Sequence, residues 1–210
     1  MAIPERIIEE AQAVVGLCAC GPYREQFRAF LGPCAPGWRW DLARPFRQWR
    51  DEHGTIRTQG VSTCAIATER IWRAAGVAVP QSWEPYAGGT FVRTHAWPAA
   101  VRALGDMRVL PPAGSALWTA GHFIACVESW VDPWDVTLPY QDCYTIDGGQ
   151  VCLEHGGGHE GIGLQRITRK RRRYWPALGL LAEVNPEGGH GLRSRVLGWV
   201  DVERLPMPGQ

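Results

Sequence analysis

Three residues of the chain could together do nucleophilic chemistry on a carbonyl: a cysteine, a histidine and a carboxylate. Cys64 lies in "GVSTCAIATERIWRAAGV", residues 60–77, where small polar residues precede an apolar-periodic run that "AAG" closes. A thiol attacks only as thiolate, and a helix N-terminus favours that anion through its exposed amides and its dipole. His122, which opens a predicted strand in "ALWTAGHFIACVES", is the candidate base. A third polar group must orient the imidazole, and Asp147, at the end of "YTIDGG", is placed for it on the following strand. Taken singly, each residue has a plainer role: a cysteine packed in an apolar stripe, a hydrogen-bonded strand histidine, and an Asp-Gly turn.

The elements that must position these side chains follow from hydrophobic period. Cys64, Ala67, Thr68, Ile71 and Ala75 fall on one helical stripe, so residues 63–75 are expected to form a helix buried on its Cys64 face and ended by Gly76. Two helices are expected before it: one carrying Pro4 in its first turn and Ile7, Ile8, Ala11, Val14 and Val15 at helical spacing, the other over Tyr23 to Leu31. The Trp-, Arg-, Pro- and Gly-rich text from Cys34 to Gly60 has no clean period and reads as loop walling a groove. A short helix is expected near Ala96 to Leu104.

After "PPAG" the pattern changes to strands. "SALWTA" (115–120), "HFIACVESW" (122–130), "CYTID" (143–147), "QVCLE" (150–154), "IGLQRIT" (162–168) and "RVLGWVDV" (195–202) are separated by Gly, Pro and Asp. Helices first and strands afterwards give an α+β chain, with N-terminal helices packed on an antiparallel sheet of about five to six strands. The expected division is a helical prefix with groove-forming loops over 1–55 and a catalytic domain over 56–205. The strands also carry a geometric expectation: an antiparallel register that sets His122 opposite Asp147 also sets Cys126 opposite Cys143, with both pairs on one sheet face.

Composition excludes several classes. With 210 residues, 45% hydrophobic and 20% charged, the chain is long enough for a well-buried core. A formal net charge of +1 gives no bulk field for nucleic acid. The basic run "TRKRRRY", Thr168 to Tyr174, is isolated and reads as a solvated face or loop. No apolar run is long enough to span a bilayer, and "MAIPERIIEEAQAVVG" carries acidic residues where a signal peptide needs basic ones. The expectation is therefore synthesis in the cytoplasm, with action in a periplasm or outside the cell requiring specialised export. Seven cysteines is high for a cytosolic chain. However, Cys18-x-Cys20 with a lone Cys34 lacks the second half of a metal-ligand spacing, and the glycines between His155 and His159 make a poor site, so neither metal nor other cofactor is expected. His95 is the remaining histidine near the expected groove. If the other cysteines bridge, Cys64 is the natural free one; the pairing among Cys18, Cys20, Cys34, Cys126, Cys143 and Cys152 stays open.

The order of a cysteine at a helix start, then "PPAGSALWTAGHFIACVES", then "YTIDGGQ", resembles the papain-like CHAP and NlpC-type cysteine amidases and peptidases, over roughly Gly60 to Arg166. The chain reads "STCAIA" where those families more often show "DCSG". The alanine after the cysteine is similar to that of amidase effectors that bacteria inject into rivals. The resemblance implies a papain-like fold, with Cys64 as nucleophile, His122 as general base and Asp147 as orienting acid. It also implies cleavage of an amide bond in peptidoglycan stem peptides or cross-links through a thioester. The expected partners are a cell-wall peptide or protein substrate and an immunity or secretion protein. Among the eleven tryptophans, Trp118, Trp83 and Trp40 are candidates for flat apolar walls around a substrate, with core packing the alternative. The same site would serve a protein-glutamine deamidase or transglutaminase, and a papain-like scaffold without activity would be a binding module.

Overall fold

A computed structural model describes residues 1–19, 21–32, 39–40, 45–60, 63–77, 101–103, 110–120, 122–131, 137–151, 165–187, 189–191 and 193–204. Within them the chain is α+β, with three α-helices and two antiparallel sheets. Helix α1 spans Ile3–Ala13, α2 Arg24–Leu31 and α3 Cys64–Ala74. Strands β1 (Arg39–Trp40), β2 (Pro45–Arg50) and β3 (Ile56–Gly60) form a small sheet of their own. The main sheet holds β4 (Val101–Ala103), β5 (Leu117–Thr119), β6 (His122–Ile124), β7 (Cys126–Trp130), β8 (Gln141–Val151), β9 (Gln165–Trp175), β10 (Leu180–Glu183) and β11 (Ser194–Val200).

The helical stripe expected of α3 is the one that folds. Cys64, Ala67, Thr68, Ile71 and Ala75 are all buried, and Gly76 ends the helix at φ +84°. Cys64, Ala67, Ile71 and Ala75 share one apolar cluster with Ile3, Ile7 and Ala11 of α1, Phe27 and Leu31 of α2, and Phe123, Cys126, Ile146 and Ile167 of the sheet. The first two helices therefore pack into the same core as the cysteine helix. Trp72 fixes the far end of α3, its indole N–H donating to the Ala125 carbonyl at 3.0 Å.

The main sheet exceeds the expected five to six strands: seven run in the order β6-β5-β11-β10-β9-β8-β7, and β4 pairs with β11 beside them. Its two end strands, β6 and β7, are consecutive in the chain with Ala125 between them. The segment 122–130 is thus a single strand that changes partner. Its first part pairs with β5 (Thr119 opposite His122), and its second with β8 (Cys126 opposite Ile146). The Ala125 N–H donates to the Ile146 carbonyl at the change, so the ends of the path meet.

That bend overturns the expected register. Cys126 lies opposite Ile146, and Cys143 lies opposite Trp130. Ala125 and Cys126 both join the cluster under the helices, while Ile124 and Val127 join the second cluster with Cys143, Tyr174 and Leu181. Side-chain alternation slips by one residue at the bend, which puts the two cysteines on opposite faces.

Other expectations fail for local reasons. Val101–Ala103 is strand β4 rather than helix, held by pairing to Val200, Trp199 and Gly198. Residues 45–60 form a β-hairpin instead of loop, turned by Asp51, whose carboxylate accepts the N–H groups of His53 and Thr55. "QVCLE" contributes Gln150 and Val151 to β8, and its remainder lies outside the described residues. The basic run is the centre of β9, and strand β10 was not anticipated.

Candidate active site

Cys64 is the first residue of α3, where backbone amides are not consumed by the helical ladder. Its approach to the sheet depends on one missing side chain. A Cβ built on Gly148 of β8 would fall 2.4 Å from the Ala67 Cβ, 3.3 Å from the Thr63 carbonyl oxygen and 3.4 Å from the Cys64 Cα. Glycine at 148 lets the first turn of α3 sit directly against the strand that carries Asp147.

The β8–β9 register shifts between Asp147 and Gln150, and Gly149 there takes φ +69°. In a regular strand, residues three apart point to opposite faces. The bulge re-aims them, so that both side chains reach the same imidazole nitrogen. His122 Nε2 lies 3.1 Å from Asp147 Oδ2 and 3.0 Å from the Gln150 side-chain nitrogen. His122 also hydrogen-bonds to Cys64. Nε2 is the nitrogen turned to Asp147 and Gln150.

Asp147 is fully buried. Its Oδ1 accepts from the Thr145 hydroxyl at 2.9 Å, and its Oδ2 accepts from Arg172 as well as His122. Arg172 reaches across from β9, and its Nε donates to the Thr145 oxygen at 2.9 Å. The carboxylate is therefore held from three sides.

The charges follow from this packing. Burial pulls the His122 imidazolium toward the neutral form, but hydrogen bonds and charges from Asp147 and Cys64 outweigh it and raise the pKa to about 9. Burial pushes Asp147 up, yet the Arg172 charge and the His122 hydrogen bond hold its carboxyl well below the usual carboxylate range. At neutral pH the site thus contains an imidazolium between a carboxylate and a thiol, the arrangement that activates a cysteine nucleophile.

The three residues expected to form the site, Cys64, His122 and Asp147, are brought together. Gln150, Thr145 and Arg172 join them and were not singled out in the sequence. The tryptophans behave differently. Trp118 is buried in the core and stacked on Phe123, with ring centroids 6.5 Å apart, so it fills the interior instead of offering an open wall. Trp40 has its backbone in β1, while its side chain, like the whole of Trp83, lies outside the described residues, as do His95, His155 and His159.

Cys64, Cys126 and Cys143 are free thiols, and Cys18 is in a disulfide whose partner lies outside the described residues. Burial pushes the Cys143 thiol up to about 12 and raises the Cys126 thiol as well. The basic run is neither loop nor an open cationic face: Arg169 pairs with Glu128, Arg171 and Arg173 with Asp142, Lys170 with Glu183, and Arg172 with Asp147. Among the described residues, no group of three or more His, Cys, Asp or Glu side chains is set to hold a metal ion, and no helix is long and apolar enough to cross a membrane. Comparison of the chain with family models, curated proteins and solved structures finds no match.

Proposed function

We propose that this protein is a cysteine hydrolase that cleaves an amide bond through a thioester acyl-enzyme. The observation that carries the reading is His122 bridging the Cys64 thiol and the buried Asp147 carboxylate. In the reaction, the Cys64 thiolate attacks the amide carbonyl carbon and the C=O electron pair moves onto oxygen. The Cys64 backbone N–H at the start of α3 donates to that oxyanion. As the tetrahedral intermediate collapses, the His122 imidazolium proton passes to the leaving amine, the C–N bond breaks and a thioester remains. Neutral His122 then takes a proton from water, which attacks the thioester and releases the acid. The thiolate and imidazolium are restored. Asp147 keeps the imidazole oriented and offsets its charge throughout.

The resemblance to CHAP and NlpC-type amidases supports peptidoglycan stem peptides as the substrate and an α+β fold of papain-like type. Export to a periplasm or to a rival cell, with an immunity protein as counterpart, belongs to the same proposal. The test is incubation of the protein with purified sacculi and with soluble muropeptides, followed by mass spectrometry of the products. New free amine and carboxyl ends, absent with Cys64→Ala, are expected. Deamidated or cross-linked protein glutamine with no muropeptide cleavage would instead assign the thioester to a deamidase or transglutaminase. Inertness toward both substrate classes, with a slowly reacting Cys64, would leave a binding module.

A further inference from the structure

We propose that Arg172 is a positioning residue of this site, a fourth member whose guanidinium, braced on Asp147 and Thr145, balances the buried carboxylate and so lets Cys64 stand as a thiolate. The proposal rests on the cysteine-hydrolase reading and extends it to a residue on a different strand. Its basis is geometric. Arg172 stands opposite Cys143 in the β8–β9 register, and its side chain is only 11% exposed. It donates through Nε to Thr145 and through Nη2 to the same Asp147 oxygen that His122 uses. Thiolate, imidazolium, carboxylate and guanidinium thus alternate in sign, and the row is neutral as a whole.

Removing the guanidinium would leave a thiolate, an imidazolium and a buried carboxylate with one net negative charge. A low-dielectric site relieves such an excess by binding a proton. Of the three, the thiol is the group with the highest ordinary pKa beside His122 and therefore takes it.

Among the described residues, the surrounding groups do not supply a substitute charge. Cys126 of β7, Cys143 of β8 and Tyr174 of β9 are buried and neutral, with pKa values raised by burial. Glu69 of α3 is occupied by Arg73, Glu128 of β7 by Arg169, and Asp142 of β8 by Arg171 and Arg173. Lys170, on β9 with Arg172, is tied to Glu183.

The experiment is the rate of iodoacetamide labelling of Cys64 in the full chain as a function of pH, read by peptide mass spectrometry. In the wild type the midpoint for thiolate formation is expected below neutral and to be lost in His122→Ala. Arg172→Met is expected to raise that midpoint by at least one pH unit, cutting labelling below it about tenfold, while the alkaline plateau stays at the wild-type rate. Arg172→Lys, which keeps a charge, should fall near the wild type. Asp147→Asn combined with Arg172→Met removes both charges and should bring the midpoint back down. This double variant also carries the test if Arg172→Met fails to fold, because it leaves no buried charge unpaired.

A wild-type midpoint in Arg172→Met overturns the proposal while leaving the hydrolase reading intact. So does a uniform loss of labelling at every pH, which would mark a merely structural arginine. A raised midpoint in the double variant overturns it as well. A wild-type midpoint in the ordinary thiol range, unmoved by His122→Ala, overturns the hydrolase reading and the proposal together.

Discussion

Gly148 and Ala67 stand so close that one added methyl group on the glycine would overlap the alanine, with the two Cβ atoms 2.4 Å apart. The contact is where the cysteine helix meets the aspartate strand, and it sets how near Cys64 can come to His122. Gly148→Ala forces α3 away from β8 and is expected to destabilise the fold by about 1–3 kcal/mol, as overpacked cores do. It should also slow Cys64 labelling, because the thiol moves off the imidazole. Ala67→Gly in the same chain reopens the space at a helix-propensity cost of about 1 kcal/mol. The double variant should therefore recover the labelling rate more fully than the stability. Thermal melts and labelling of the two single variants and the double variant check this, and additive losses would show that the contact does not position the helix.

The proton on His122 gives two opposite pH responses. Its folded pKa of about 9 lies above the ordinary value of 6.5, so its stabilising contribution is full below pH 6.5 and is lost as pH rises through about 9. Wild-type melting temperature should fall across that window, and His122→Gln should lack that part of the fall. Amide cleavage should decline around pH 9, where the folded imidazole itself gives up its proton, since the leaving amine needs that proton. Alkylation of Cys64 needs only the thiolate and should stay fast above pH 9. Parallel decline of cleavage and alkylation would show that His122 does not serve as the acid.

How far the site could be read from sequence depended on the range of the contacts involved. The cysteine helix was legible because its period, its buried stripe and Gly76 are all local. The meeting of His122 with Asp147 was also legible, since one strand follows the other. The register between them was not, because Ala125 lets one strand serve two partners and shifts the alternation at Cys126. Gln150 was hidden by its odd spacing from Asp147; the paired glycines between two polar residues are the signal of the bulge that overcomes it. Arg172 looked like one of several solvated bases. The acids that neutralise the run come from β7, β8 and β10, and no local pattern announces them.

Asp147 should respond differently to loss of charge and loss of shape. Asp147→Asn keeps a hydrogen-bonding group toward His122 and Thr145 but removes the carboxylate that raises the imidazole pKa. Its expected result is a folded protein with much reduced cleavage and an alkaline limit moved to lower pH. Asp147→Asn and Asp147→Ala both leave the Arg172 guanidinium without its carboxylate in a buried place, and breaking such a pair from one side costs about 3–5 kcal/mol; Asp147→Ala loses the hydrogen bonds and the shape as well and should be the less stable of the two. Gln150→Leu, which removes only a neutral amide contact, should cost less activity than either. A pH profile of cleavage beside thermal melts separates the three, and a Gln150→Leu defect equal to that of Asp147→Asn would move the orienting role to the amide.

The described free thiols provide the sharpest contrast of environment. Cys126 and Cys143 lie at opposite faces of the sheet, fully buried, and burial holds both in the protonated form, Cys143 up to about 12. Cys64 alone of the three has an imidazolium beside it and a helix start beneath it. Since only thiolate reacts, native protein at pH 7 should be alkylated at Cys64 at least a hundredfold faster than at Cys126 or Cys143. In denaturant, where burial and the His122 contact are both gone, the three rates should converge. Selectivity that survives His122→Ala would mean that exposure alone distinguishes Cys64. Selectivity that collapses with the histidine, while Cys126 and Cys143 stay inert, ties the reactivity to the pair.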